Sequence, residues 1–155
     1  MSPSEYSVIV VEDGEDEILL LQRAFQDAKL KSPVLVFRDG QEVIDYLRQL
    51  GTDGGKHGSD APPALMLLDL KMPRKNGLDV LEWLRLQPGL KRLATVVMSS
   101  SGHASDINRA YDMGCSAYLT KPMSYGELVD LVRLIDGFWL LQNQKPDLRS
   151  KLSPG

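Results

Sequence analysis

The sequence predicts an α/β fold, a doubly wound five-stranded parallel sheet, from three observations. Short and almost wholly apolar runs occur five times, each is followed by a segment whose apolar residues return every three or four positions, and polar turns separate the two. Strands apolar on both sides belong inside a parallel sheet with helices on both faces, and strictly alternating β and α segments lead to that architecture.

The elements follow in order. Tyr6 to Val11 (YSVIVV) is β-rich and apolar, and it ends in an acidic turn. From Glu15, the spacing of Ile18, Leu21, Phe25 and Ala28 predicts an amphipathic helix to about residue 29, and Pro33 stops any continuation. Val34 to Phe37 is the second strand, Asp39-Gly40 a turn, and Val43, Ile44, Leu47 and Leu50 mark the second helix. Gly51 to Pro63 (GTDGGKHGSDAPP) is longer than the few residues usual between a helix and a strand and reads as an insertion. Ala64 to Leu70 (ALMLLDL) is the third strand, with Asp69 at its carboxyl end, and Gly77 to Gln87 the third helix, ended by Pro88-Gly89. Ala94 to Met98 and Ser116 to Leu119 are the fourth and fifth strands, separated by a short helix from Ala104 to Met113 that Gly114 closes. After Lys121-Pro122, a fifth helix carries Leu128, Leu131, Val132, Ile135, Phe138 and Trp139. Residues 1–142 are expected to form one domain with this extended helix, and residues 143–155 a polar tail, frayed or extended.

Composition narrows the function. A length of 155 residues suits one core, and 43% hydrophobic with 25% charged residues is ordinary for a globular domain. The apolar runs are far shorter than a bilayer span, and the start lacks the basic n-region of a signal peptide, so a cytoplasmic protein with no membrane partner is expected. A single cysteine, Cys115, excludes an internal disulfide and reads as a small buried apolar residue. A formal charge of −3 leaves no electrostatic footprint for direct nucleic-acid binding.

In open α/β sheets the ligand site lies outside the carboxyl ends of the strands. Glu12 and Asp13 follow the first strand there, Asp69 ends the third, Ser99 the fourth and Lys121 the fifth. Converging carboxylates repel one another unless a cation joins them, and hard oxygen ligands suit Mg²⁺. A lysine and a hydroxyl opposite the acids would give a phosphoryl group its ionic and hydrogen-bonding partners. Neither a GxxxxGK[ST] loop nor a GxGxxG turn follows the first strand, so no nucleotide cradle is evident. A carboxylate can itself be the nucleophile, and Asp69, costly at the end of so apolar a strand, is the candidate.

These residues stand in a recognisable sequence: Glu12-Asp13, LLDLKMPRKNG from Leu67 to Gly77, Ser99, Tyr118 and Lys121-Pro122. The chain resembles, over about residues 5 to 136, the flavodoxin-like CheY-type receiver domain of two-component response regulators. The resemblance implies that Asp69 accepts a phosphoryl group from a histidine kinase. It further implies that Glu12, Asp13, Asp69 and the backbone carbonyl of Lys71 hold Mg²⁺, and that Lys121 and Ser99 bind the phosphoryl oxygens. Ser99 and Tyr118 would be the switch residues that reshape the face made by the fourth helix, fifth strand and fifth helix. Lys71 and Ser101 would border the path of hydrolytic water and tune the acyl-phosphate lifetime, and Lys121-Pro122 would be a cis peptide.

Two residues depart from the family pattern. Glu12 stands where aspartate is more usual, implying contact with the metal through water, and Ser99 replaces the more common threonine.

Glu15, Asp16 and Glu17 read as solvated acids at a helix N-terminus, and His57 and His103 have no partner at a useful spacing. Phe138-Trp139-Leu140-Leu141 extends apolar surface past the usual end of such a domain and either folds back on the core or forms a homodimer or partner face, association being favoured. This ending and the Gly51–Pro63 loop are similar to response regulators of phytochrome-type histidine kinases, which implies a kinase of that type as partner. No output domain is expected in these residues, and the downstream partner is unassigned. A haloacid-dehalogenase-type phosphatase would want its nucleophile after the first strand and an aspartate two residues on, where this chain has Lys71. A degenerate receiver is disfavoured by the complete residue set.

Overall fold

The computed structural model describes residues 6–53, 61–72 and 74–149. Five parallel strands, β1 (Ser7–Val11), β2 (Val34–Phe37), β3 (Pro63–Leu68), β4 (Thr95–Ser99) and β5 (Ala117–Thr120), lie in the order β2-β1-β3-β4-β5. Every residue of β1, β3 and β4 is buried, as interior strands require. The pleat then divides their side chains between two layers.

Ile9, Val11, Met66, Leu68 and Val97 face α2 (Gly40–Asp53), α3 (Gly77–Arg85) and α4 (Ala104–Asp112), meeting Ile44, Leu47, Leu81, Leu84 and Ala110. Val8, Val10, Leu65, Leu67 and Val96 face α1 (Glu15–Asp27) and α5 (Tyr125–Ile135), meeting Leu21, Phe25, Val132 and Ile135. Helices thus cover both faces, which is the doubly wound arrangement. Cys115 is buried in the first layer.

Boundaries moved by a few residues where hydrogen bonding, rather than hydropathy, ends an element. β3 stops at Leu68, so Asp69 is the first residue beyond the strand, its amide still donating to the Val11 carbonyl at 3.0 Å. α2 begins at Gly40 and continues to Asp53, into the segment read as loop. His57 and the centre of that insertion lie outside the described residues. A 3-10 turn at Leu90–Arg92, unforeseen in the sequence, leads into β4.

The fifth helix is not uniform. α5 ends at Ile135 and passes into a π-helical segment, Asp136–Gln142. Leu140 is buried against the second layer and Trp139 is half-buried there, whereas Leu134, Phe138 and Leu141 stay exposed. Residues 144–149 form neither helix nor strand. Arg92 donates to the Asp147 carbonyl at 2.9 Å, Leu148 packs on the first layer, and the Lys145 ammonium lies 5.4 Å from the centre of the Tyr6 ring.

One close approach bears on the loop after β3. A Cβ at Gly77 would lie 2.5 Å from the Asp69 carbonyl oxygen and 2.7 Å from the Leu70 Cα, both backbone atoms that cannot turn aside. Gly77→Ala should therefore destabilise the chain by about 1–3 kcal/mol or more in urea unfolding, the range for overpacking. Gly126→Ala, where nothing lies within 4 Å of the new methyl, should be neutral or slightly stabilising. Equal midpoints for the two variants would refute the close-packing account.

Candidate functional site

The strand order reverses between β1 and β3, because β1 is followed in space by β2 on one side and by β3 on the other. That switch point is where a doubly wound sheet leaves a crevice. One last rung of the sheet ladder fixes the first residue beyond three of the strands. Glu12 donates its amide to the Phe37 carbonyl at 3.0 Å, Asp69 to Val11 at 3.0 Å, and Lys121 to Ser99 at 2.8 Å. Side chains anchored so close to the sheet can be aimed with little conformational freedom.

Glu12, Asp13 and Asp69 meet there, with one carboxylate oxygen from each all within 4.8 Å of one another. Glu12 and Asp69 are buried and Asp13 is exposed. Across from them, the Lys121 ammonium lies 3.0 Å from Glu12, 2.6 Å from Glu17 and 3.6 Å from Asp69. A cavity of about 130 Å³ opens beside the cluster, bordered by Glu17, Leu20, Met98, Lys121 and Pro122.

The charges are strongly perturbed. Burial, with the Glu17 and Asp69 carboxylates beside it, pushes the Glu12 carboxyl up to about 7 against the opposing hydrogen bonds from the Gly14 amide and Lys121. Burial likewise raises Asp69, opposed by the Lys121 charge and the Lys71 amide, while the Glu17 and Asp13 charges add to the rise. Burial works against the Lys121 ammonium, yet its hydrogen bonds to Glu17 and Glu12 and the charge of Asp69 hold it protonated well above the usual lysine range. An all-oxygen donor set with negative charge that one lysine does not fully balance fits a hard divalent cation. Glu12, Asp13 and Asp69 are the residues that fit one.

The hydroxyl side of the site is connected to the helical face beyond it. Ser99 is buried, and its Oγ accepts the Ser101 amide at 3.1 Å. The Ser101 hydroxyl is turned toward α4, donating to Asp106. Tyr118 on β5 is half-buried and donates its hydroxyl to the Ser101 carbonyl at 2.8 Å. Lys71, two residues beyond Asp69, is exposed.

The loop that carries Asp69 is braced from α2. Arg74, at a φ of 62°, pairs with the buried Asp39, and the Gly40 amide donates to the Lys75 carbonyl at 3.0 Å. Burial acts to raise the Asp39 carboxyl, but the hydrogen bonds from Arg74 and from the Glu42 and Gln41 amides prevail and hold it below the usual range.

Two sequence expectations change. The Lys121-Pro122 peptide is trans, there being no cis bond among the described residues. Trans is the lower-energy isomer even before proline, and with its amide tied to Ser99 the long lysine stem still reaches the acids. Glu17, read as a solvated helix-dipole acid, sits instead on Lys121. A signal was present: Gly14 has no side chain to cap α1, so its first turn could not be assumed to follow the usual capping pattern. His103 is the N-cap position of α4 and makes no side-chain cap there.

With this geometry in hand, the chain matches the response regulator receiver domain family over residues 8–133. It is 31% identical over 133 residues to response regulator Rcp1 of Synechocystis sp., spanning 86% of this chain and 88% of that protein. It is 33% identical over 141 residues to the probable methanogenesis regulatory protein FilR2 of Methanothrix harundinacea, spanning 91% and 88%. Among solved structures it resembles the phosphorylated cyanobacterial phytochrome response regulator RcpA, with a TM-score of 0.79 and 35% identity over 92% of this chain and 99% of that one. The Mn²⁺-bound form of Rcp1 gives 0.77 and 30% over 91% and 99%.

Proposed function

This chain belongs to the response regulator receiver domain family, and from that premise we propose that Asp69 accepts a phosphoryl group from a sensor histidine kinase and that the acquired charge switches the α4-β5-α5 face. The observation that carries the reading is the placement of Asp69: buried, one residue past β3 at the switch point, with two further carboxylates on one side and Lys121 on the other.

In the transfer, an Asp69 carboxylate oxygen attacks phosphorus, the P–N bond to the kinase imidazole breaks, and the imidazole leaves with the electron pair. Hydrolysis later puts a water oxygen on phosphorus, breaks the bond to Asp69, and releases inorganic phosphate with the free carboxylate. A Mg²⁺ ion held by Glu12, Asp13, Asp69 and the Lys71 carbonyl would offset charge on the phosphoryl oxygens. Lys121 and Ser99 would bind those oxygens, and Lys71 and Ser101 would set the lifetime. Because Ser99, Ser101 and Tyr118 already form a connected chain of hydrogen bonds, a pull on the Ser99 hydroxyl has a route to β5. The phosphoryl group shifts the population only as far as it binds one arrangement better than the other.

The kinase is of the phytochrome type in this proposal, supported by the likeness to Rcp1 and RcpA. A cytoplasmic setting belongs to the same reading. So does a homodimer, supported by the exposed stripe of Leu134, Phe138 and Leu141. Trp139 would support that face from behind, its ring edge-on to Phe138 with centroids 5.0 Å apart. Phe138→Asp should convert the dimer to monomer in sedimentation, and an unchanged mass would count against this face.

The test of the main reading is incubation of the chain with Mg²⁺ and acetyl phosphate, followed by intact mass and peptide mapping. An adduct on Asp69 is expected. An adduct elsewhere, or none, would overturn the assignment, and steady turnover of unrelated phosphoesters would indicate a phosphatase instead.

A further inference from the structure

The acids that open α1 do different work. Glu15 pairs with Arg38 at 2.7 Å, outside the site, whereas Glu17 reaches Lys121 at 2.6 Å, the shortest of that lysine's three contacts with carboxylates. The reason lies in how the helix starts. Glu17 is the third residue of α1, the position from which a glutamate ordinarily reaches back to the N-cap amide. Here that amide, of Gly14, is taken at 3.1 Å by Glu12, so the Glu17 carboxylate is free to turn to Lys121. An ammonium has three donors. Two go to Glu12 and Glu17 at hydrogen-bonding distance, and Asp69 at 3.6 Å is left with charge attraction alone.

We propose that Glu17 is a positioning residue that holds Lys121 in a resting place from which phosphorylation of Asp69 must draw it, so that Glu17 sets how readily the switch is thrown. This rests on Asp69 being the acceptor. A phosphoryl group on Asp69 would attract the ammonium, and the gain is reduced by whatever Lys121 gives up at Glu17. The Glu17 carboxylate, on the rim of the cavity beside Asp69, also repels an approaching phosphate donor. Both effects have one sign. Removing the charge should make Asp69 easier to phosphorylate.

The test compares Glu17→Gln with Glu15→Gln, which loses the same charge from the same helical turn but does not touch Lys121. Glu17 is half exposed, so its amide variant has little reason to misfold. Two measurements are made on the full chain: the Lys121 ammonium signal by NMR without metal or phosphodonor, and the rate of adduct formation on Asp69 with Mg²⁺ and acetyl phosphate. Glu17→Gln should shift the Lys121 signal and speed adduct formation by about three- to tenfold, the scale of one partly screened charged hydrogen bond. Glu15→Gln should do neither. An unmoved Lys121 signal in Glu17→Gln, or a rate equal to or below that of Glu15→Gln, would overturn the proposal while leaving Asp69 as acceptor. Absence of an adduct in the parent chain would overturn both.

Discussion

Asp69→Asn is expected to take up no phosphoryl group from any donor while remaining folded, and without metal to unfold at a urea midpoint equal to or above that of the parent chain. The loss is complete because an amide nitrogen or oxygen is no substitute for a carboxylate nucleophile, and no second carboxylate stands in the same place. Asp13 is exposed, and Glu12 is already engaged by the Gly14 amide and Lys121. The stability result follows from the sign of the Asp69 shift. Burial raises its carboxyl even in the presence of Lys121, which means that the charged form is disfavoured in the folded chain. An uncharged side chain of the same shape relieves that cost. A lowered midpoint would show that the Lys121–Asp69 attraction outweighs burial, and residual uptake would place the acceptor elsewhere.

The second large effect concerns pH and metal. Glu12 is raised from 4.5 to about 7 in the folded chain, so between those values the native state binds the proton that the unfolded state has lost. A carboxyl raised by folding contributes stability that is present below its unfolded value and is lost as pH rises through its folded one. The metal-free chain should accordingly lose about 2 kcal/mol between pH 5 and pH 8. The raised Asp69 acts in the same direction. Saturating Mg²⁺ should reverse the trend, since a cation favours the deprotonated acids and its binding releases a proton. Urea unfolding across that range, with and without Mg²⁺, checks both halves. Glu12→Gln should flatten the metal-free slope. A stability that rises with pH in the metal-free parent would contradict the burial of Glu12 as the governing cause.

The sequence was most informative where a single periodicity governed. Short apolar runs and helical spacings named all five strands and all five helices, and the strand ends alone nominated Glu12, Asp13, Asp69, Ser99 and Lys121, which the structure gathers at one edge of the sheet. It was least informative where an element's end depends on hydrogen bonding. The π-helical turn after Ile135 sends Leu140 inward and leaves Phe138 outward, a division that a run of four apolar residues does not reveal. The contacts of residues 144–149, Arg92 to the Asp147 carbonyl and Lys145 to the Tyr6 ring, join residues remote in sequence and partly through backbone atoms, so no local pattern reveals them.

By itself, then, the sequence determined the alternation of strands and helices and which chemical groups arrive at the carboxyl edge, because apolar runs and helical spacings are local and a parallel sheet puts all its strand ends on one side. Only the tertiary structure decided how those groups pair. Lys121 could have turned to Asp69, Glu12 or neither, and its nearest partner is Glu17, an acid that local reasoning assigned to solvent. Pairing in a crowded site depends on distances of a few tenths of an ångström between side chains from different strands and helices, and on which amide has already claimed which carboxylate. No spacing along the chain encodes that competition.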